Sequence, residues 1–93
     1  MKAKKMIIHG LVQGVFFRAG CVKKANELDC KGTVQNLPNK TVEVIIMDNI
    51  INNKNTTKLI NWCKQGPKAA RVDSIDIEEI EIEKEFNDFI RLN

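Results

Sequence analysis

The sequence predicts an α+β protein of the ferredoxin-like, split β-α-β type, in which two helices cover one face of an antiparallel sheet. The main observation is hydrophobic periodicity, which gives the order strand, helix, strand, strand, helix, strand, with a short strand appended. The 93 residues are enough for one modest core. Since no repeat, linker or low-complexity segment interrupts them, we expect residues 1–93 to form a single domain.

The first third of the chain predicts a strand followed by a helix. A strand is predicted over residues 4–12, whose apolar members are Met6, Ile7, Ile8, Leu11 and Val12. From Phe17 the spacing becomes helical, with apolar positions at Phe17, Cys21, Val22, Ala25 and Leu28. The opposite face of this helix carries lysine, asparagine and glutamate, which is typical of a helix packed on one side.

A hairpin and a second helix are predicted next. Strands over residues 33–36 and 41–47 flank a turn at residues 37–40. Residues 48–55 are polar and predict a loop or a gradual helix entry, after which Thr56 or Thr57 is expected to cap a helix. That helix carries Leu59, Ile60, Trp62 and Cys63 and should end at Gly66-Pro67.

The last part of the chain predicts two strands. Residues 72–77 alternate between apolar and polar side chains, and the alternation resumes over residues 80–82 after a slip of phase at Glu78–Glu79. We interpret the slip as a bulge or a strand end. Residues 86–92 are expected to form a short final strand.

Composition excludes several classes of function. The net charge of +3 is small and its charges interleave, so nucleic-acid binding is not indicated. No apolar run approaches the roughly 20 residues that span a bilayer, and the apolar stretch after the basic start is too short for a signal peptide. Three cysteines without a Cys-x-x-Cys pair, beside one histidine, predict reduced structural thiols and no metal site. We therefore expect a cytoplasmic protein.

The stretch GLVQGVFFR, Gly10 to Arg18, contains the candidate functional residues. Arginine occurs three times against twelve lysines, so an arginine beside a glycine loop suggests a task that lysine performs poorly. A glycine loop between a strand and a helix offers unpaired backbone N–H groups to an anion, and a guanidinium binds two phosphate oxygens at once. The alternative is a tight turn with an exposed arginine. We expect Phe16 and Phe17 to shape the loop or to pack beneath it, rather than to bind the ring of a ligand.

Three motifs together resemble the acylphosphatase family. They are GLVQGVFFR, then GTVQNLPNKTVEV, then NWCKQGPKAARVDSI, and the resemblance runs from about residue 6 to residue 92. The resemblance implies that Arg18 binds phosphate and that Asn36 is catalytic. It places the phosphate-binding loop on the backbone of Gly10, Leu11, Val12, Gln13, Gly14 and Val15. The turn after Asn36 departs from the family, because Asn39-Lys40 stands where a residue followed by glycine is usual.

The implied reaction is hydrolysis of acyl phosphates to a carboxylate and inorganic phosphate, by direct attack of water and without metal or cofactor. The leaving carboxylate has a conjugate acid with a pKa of about 4, so it departs without a strong general acid. Catalysis then consists mainly of positioning and charge stabilisation. Arg18 and the loop amides would hold the phosphoryl oxygens, while the Asn36 carboxamide would align the water. We expect a monomer with no nucleic-acid or membrane partner.

Three other functions compete with this one. A catalytically silent module of the same fold would bind phosphate or carboxylate without turnover. RNA-recognition domains share the order of elements, but they need exposed aromatic residues on the central strands, and residues 41–47 have none. A purely structural partner domain is suggested only weakly, by Ile45-Ile46-Met47.

Overall fold

The computed structural model describes residues 1–48 and 53–93, and it contains five strands and two helices in the predicted order. The strands are β1 (Lys2–Leu11), β2 (Gly32–Asn36), β3 (Val42–Met47), β4 (Arg71–Glu81) and β5 (Phe89–Arg91). The helices are α1 (Phe17–Glu27) and α2 (Asn53–Gln65). In the part of the chain described, neither helix is long and apolar enough to cross a membrane.

The strands form one sheet in the order β4-β1-β3-β2-β5, which confirms the ferredoxin-like fold. The four longer strands pair antiparallel, whereas β5 pairs parallel with β2 and makes the sheet mixed. The parallel pairing matters for the site, because it brings the residues after β5 beside the end of β2.

Both helices pack on one face of the sheet and share a core with it. Phe17, Cys21 and Ala25 of α1 and Leu59 and Cys63 of α2 are buried against the sheet. Their apolar neighbours from the strands include Met6, Ile8, Val34, Val42, Val44 and Ile46, none of which is exposed. Along β3, buried positions that face this core alternate with partly exposed positions on the opposite face.

The three thiols are buried, as expected for structural cysteines. A hydrogen bond with Cys21 and burial raise the pKa of the Cys63 thiol well above its ordinary value. Burial is also the main cause that raises the pKa of Cys30. The Cys30 and Cys63 thiols therefore stay protonated near neutral pH and behave as small apolar side chains.

The expected cap of α2 is wrong. Residues 53–55 are already helical, so Thr56 and Thr57 lie inside the helix rather than at its start. Thr57 donates its hydroxyl hydrogen to the Asn53 carbonyl oxygen at 3.1 Å, the bond that a threonine within a helix commonly makes. Residues 49–52, part of the polar segment predicted as loop or helix entry, lie outside the described residues.

The bulge predicted at Glu78–Glu79 is also misplaced. β4 is continuous there, and both residues pair in register with β1. The register shifts instead between His9 and Gly10, where Asp73 is the extra residue on β4. Because β4 is an edge strand with mostly exposed side chains, its apolar residues need not keep to one face. The observed bulge lies where the chain leaves the sheet for the glycine loop.

Gly20 lies within α1 for a packing reason that the sequence does not reveal. A Cβ atom at this position would lie 3.0 Å from two ring carbons of Trp62. The Trp62 ring also packs against Phe17, with 5.4 Å between ring centroids. Gly20 therefore allows α2 to approach α1 with an aromatic ring at the contact.

Candidate functional site

The loop between β1 and α1 presents its backbone rather than its side chains. Gly14 and Phe16 both have positive φ angles, of 74° and 66°, which turn the chain sharply before the helix. Within the described residues, the backbone N–H groups of residues 12–16 donate no hydrogen bond. A concave run of unpaired N–H groups at a helix start binds anions, because the donors converge and the helix dipole adds positive charge.

Gly10 and Gly14 serve the loop for different physical reasons. Gly10 has a φ of 130°, and a Cβ atom there would lie 2.1 Å from the backbone oxygen of Arg71. Gly14 faces open space, and a Cβ atom would meet nothing within 4 Å. Gly10 therefore permits the close approach of β1 and β4 at the bulge, whereas Gly14 supplies only a backbone angle.

We expect Gly10→Ala to lower the free energy of unfolding by at least about 3 kcal/mol, because a backbone clash adds to an unfavourable φ angle. Gly14→Ala should cost only about 1 kcal/mol, from the φ angle alone. Urea denaturation of both variants measures the difference. Equal losses of stability would show that the contact between Gly10 and Arg71 does not restrict the loop.

Gln13 ties the loop to the turn that follows β2. Its side-chain amide donates to the backbone oxygens of Leu37 and Thr41, both at 2.9 Å. These two oxygens lie at either end of the turn just after Asn36. The Gln13 side chain thereby holds the loop beside Asn36. The family resemblance implies only a backbone role for this residue.

The turn after Asn36 closes without the usual glycine. Lys40 adopts a φ of 70°, and its N–H group bonds to the Leu37 oxygen at 3.2 Å. The side-chain oxygen of Asn39 accepts hydrogen bonds from the backbone and the hydroxyl of Thr41. A non-glycine residue at positive φ costs about 1 kcal/mol. The hydrogen bonds that Asn39 accepts offset part of this cost at Lys40.

Arg18 lies in the first turn of α1 and is partly exposed. Its Nη1 atom donates to the backbone oxygen of Asn93 and, at 3.2 Å, to the Asn93 side-chain oxygen. Among the described residues, Nε and Nη2 of Arg18 have no hydrogen-bond partner. These two atoms form one edge of the guanidinium, which is the geometry that binds two oxygens of a phosphoryl group.

Asn36 is the last residue of β2, and its carboxamide oxygen is buried without a hydrogen-bond partner among the described residues. An unpaired buried oxygen costs about 1–3 kcal/mol, and such atoms occur at functional sites. The backbone of Asn36 is fully paired: its N–H group donates to Asn93 Oδ1 and its carbonyl accepts from Asn93 Nδ2, both at 2.9 Å.

The structure therefore brings Arg18 and Asn36 to one place. The side-chain oxygen of Asn93 accepts hydrogen bonds from both residues. A recess of about 290 Å³ lies beside Arg18 and is lined by Val12, Gly14, Phe16, Phe17, Arg18, Ala19 and Arg91. Arg18 and the loop thus border one concave surface.

The two phenylalanines after the loop behave differently. Phe17 is buried beneath the loop, whereas Phe16 is 79% exposed, so for Phe16 the expectation of packing beneath the loop is wrong and only the expectation of shaping it remains. Phe16 precedes α1 with a positive φ angle, and this backbone turn directs its ring outwards. Its side chain lines the recess instead.

Sequence reasoning missed Asn93 and Arg91. The only signal for Arg91 was the scarcity of arginine, and nothing in the sequence indicates Asn93, because its partners are distant in the chain. The described residues contain no group of three histidine, cysteine, aspartate or glutamate side chains arranged to hold a metal ion. The donors at the site are therefore backbone N–H groups, guanidinium groups and carboxamides.

Sequence comparison finds similarity to one family. The family model described as Acylphosphatase matches residues 4–90. The chain is 37% identical over 89 residues to an acylphosphatase from Methylococcus capsulatus, with 96% of this chain and 94% of that protein covered.

Solved structures show similarity to the same family, and also to a small part of a larger protein. An acylphosphatase from Coxiella burnetii matches with a TM-score of 0.84 and 34% identity, over 97% of this chain and 90% of that chain. HypF from T. kodakarensis matches with a TM-score of 0.84 and 29% identity, over 98% of this chain but only 12% of HypF. The same architecture thus occurs both alone and as a small part of a larger protein.

Proposed function

The chain belongs to the acylphosphatase family, and we propose that Arg18, Asn36 and the backbone of residues 10–15 carry out the family's reaction. That reaction is hydrolysis of the carboxyl–phosphate bond of an acyl phosphate to a carboxylate and inorganic phosphate. The observation that most supports this assignment is the shared contact of Arg18 and Asn36 with one oxygen of Asn93.

The loop and Arg18 are suited to hold the phosphoryl group. The N–H groups of residues 12–16 and the Nε–Nη2 edge of Arg18 have no partner among the described residues, so all of them are available to donate hydrogen bonds to a phosphoryl group. Together they would bind the three non-bridging oxygens and stabilise the charge on them in the transition state. Because Nη1 of Arg18 is engaged by Asn93, the guanidinium keeps one orientation towards the loop.

Asn36 is suited to orient the attacking water. Its buried carboxamide oxygen has no partner among the described residues and would accept a hydrogen bond from a water molecule that reaches it, which would direct the water's lone pair at phosphorus. The water oxygen then forms a bond to phosphorus as the bond from phosphorus to the acyl oxygen breaks. The electron pair leaves with the carboxylate, and the proton from water passes to solvent or a phosphate oxygen. The weakly basic carboxylate needs no proton to leave.

We expect the purified protein to hydrolyse benzoyl phosphate at an undiminished rate in the presence of a chelator. It should not hydrolyse a phosphomonoester, because the alkoxide leaving group needs an acid that this site lacks. The measurement is the release of inorganic phosphate from each substrate, with and without chelator. Turnover of the monoester, or loss of activity with chelator, would contradict the proposed mechanism.

One alternative is a module of the same fold that binds phosphate or carboxylate without turnover, since the same architecture also forms 12% of the larger protein HypF. The same experiment separates the two functions. A folded protein that binds inorganic phosphate but leaves benzoyl phosphate intact would be such a module. Retention of both Arg18 and Asn36 favours catalysis.

We further propose that residues 1–93 act as one domain, as a monomer in the cytoplasm. A single family match over residues 4–90 supports the first point. The three buried thiols, none of them in a disulfide, are consistent with a reducing compartment. Small acyl phosphates and inorganic phosphate are the only partners that the site requires.

A further inference from the structure

Asn93 continues the parallel pairing of β2 and β5 with its side chain. The ladder pairs Val34 with Arg91, and the Leu92 N–H group donates to the Val34 oxygen at 2.9 Å. One step further along β2 is the backbone of Asn36, and the carboxamide of Asn93 supplies both the donor and the acceptor that this backbone needs. A primary amide has the same pair of groups as a peptide unit, so it can replace a strand residue here.

The same carboxamide reaches the guanidinium of Arg18. Asn93 Oδ1 accepts from Arg18 Nη1 at 3.2 Å while it accepts from the Asn36 N–H group at 2.9 Å. The backbone oxygen of Asn93 accepts a second bond from Arg18 Nη1. One residue thus contacts both the end of β2 and the start of α1.

Arg91 holds Asn93 from the other side. Its Nε atom donates to the backbone oxygen of Asn93 at 3.1 Å, and its side chain lines the same recess as Arg18. Among the described residues, no aspartate or glutamate side chain lies within ion-pair distance of Arg91. Arg91 therefore has Asn93 as its partner, and it restricts where the Asn93 backbone can lie.

We propose that Asn93 is a positioning residue, which fixes the guanidinium of Arg18 and the backbone of Asn36 relative to each other. Arg91 supports it by holding its backbone. This inference rests on the proposed roles of Arg18 and Asn36. Asn93 does not act on the substrate itself: its contact leaves Nε and Nη2 of Arg18 for phosphate and leaves the Asn36 side chain for water.

The test compares Asn93→Ala with Asn61→Ala, an exposed asparagine on α2 that is remote from the recess. We expect Asn93→Ala to lower kcat/KM for benzoyl phosphate by about tenfold or more, since a misplacement of about 1 Å can cost 100-fold. The inhibition constant of inorganic phosphate should rise by about threefold, because Arg18 loses one of its two hydrogen bonds to Asn93 and is held less firmly. Asn61→Ala should change neither value, and Arg91→Gln should act in the same direction as Asn93→Ala but less strongly.

Thermal unfolding separates positioning from a merely structural role. A merely structural role would lower the Tm of Asn93→Ala. It would leave kcat and the phosphate inhibition constant of the folded protein at the wild-type values, and that result would overturn the proposal.

If the wild type does not hydrolyse benzoyl phosphate, the proposed function fails. The dissociation constant of inorganic phosphate, measured by calorimetry for the wild type and Asn93→Ala, then tests the contact with Arg18, and equal constants would overturn the inference.

Discussion

Replacing Arg18 with glutamine is expected to reduce kcat/KM for benzoyl phosphate by about 1,000-fold or more, the upper range for loss of one preorganised donor to a developing charge. Glutamine keeps much of the length and can donate a hydrogen bond, but it has neither the charge nor the two-pronged edge that Nε and Nη2 offer. The inhibition constant of inorganic phosphate should rise as kcat/KM falls, because in the proposed mechanism the same edge binds both substrate and product.

Two further variants serve as controls for Arg18→Gln. Arg18→Lys restores the charge without the planar edge, and we expect it to recover only a small part of the activity. Arg71→Gln removes an exposed arginine that pairs with Asp73 outside the recess, and it should retain wild-type kinetics. Equal loss of activity in Arg71→Gln and Arg18→Gln would mean that general positive charge, not the geometry of Arg18, binds the substrate.

Replacing Asn36 with alanine is expected to reduce kcat by about 100- to 10,000-fold, the range for a group that positions a reacting proton or water. KM should change little, because in the proposed mechanism Asn36 contacts the water and not the phosphoryl group. The two variants therefore separate binding from the chemical step: Arg18→Gln changes phosphate affinity and rate, whereas Asn36→Ala changes the rate alone.

The stability of Asn36→Ala provides an internal control. The removed carboxamide oxygen is buried and has no partner among the described residues, so its loss should leave the free energy of unfolding unchanged or slightly raised. The backbone bonds to Asn93 remain available. A variant that loses stability in urea as strongly as it loses activity would indicate that Asn36 has a structural role, and would contradict its assignment to the water.

The sequence predicts the order of the elements well because the core residues keep a clear period. Phe17, Cys21 and Ala25 mark one face of α1, and β3 alternates between buried and partly exposed positions. β4 is less predictable, since an edge strand with exposed side chains does not need one apolar face. The bulge was therefore placed at Glu78–Glu79, although the register shifts at the opposite end of the strand.

The site is predicted in part. The spacing of GLVQGVFFR indicates an anion loop with Arg18 beside it, because loop and helix start are adjacent in the chain. The link from Arg18 to Asn36 through Asn93 depends on the parallel pairing of β2 and β5, and no local pattern encodes a contact over 57 or 75 residues. The outward direction of Phe16 likewise follows from a backbone angle rather than from hydrophobicity.

Hydrolysis of benzoyl phosphate in water labelled with oxygen-18, with a chelator present, tests the central claim most directly. If water oriented by Asn36 attacks the phosphorus atom held by Arg18 and the loop, the label appears in inorganic phosphate and the benzoate remains unlabelled. Label in benzoate would mean that water attacks the carbonyl carbon. In that case the phosphate-binding loop and Arg18 would hold the leaving group rather than the reacting centre, contradicting the assignment of the site.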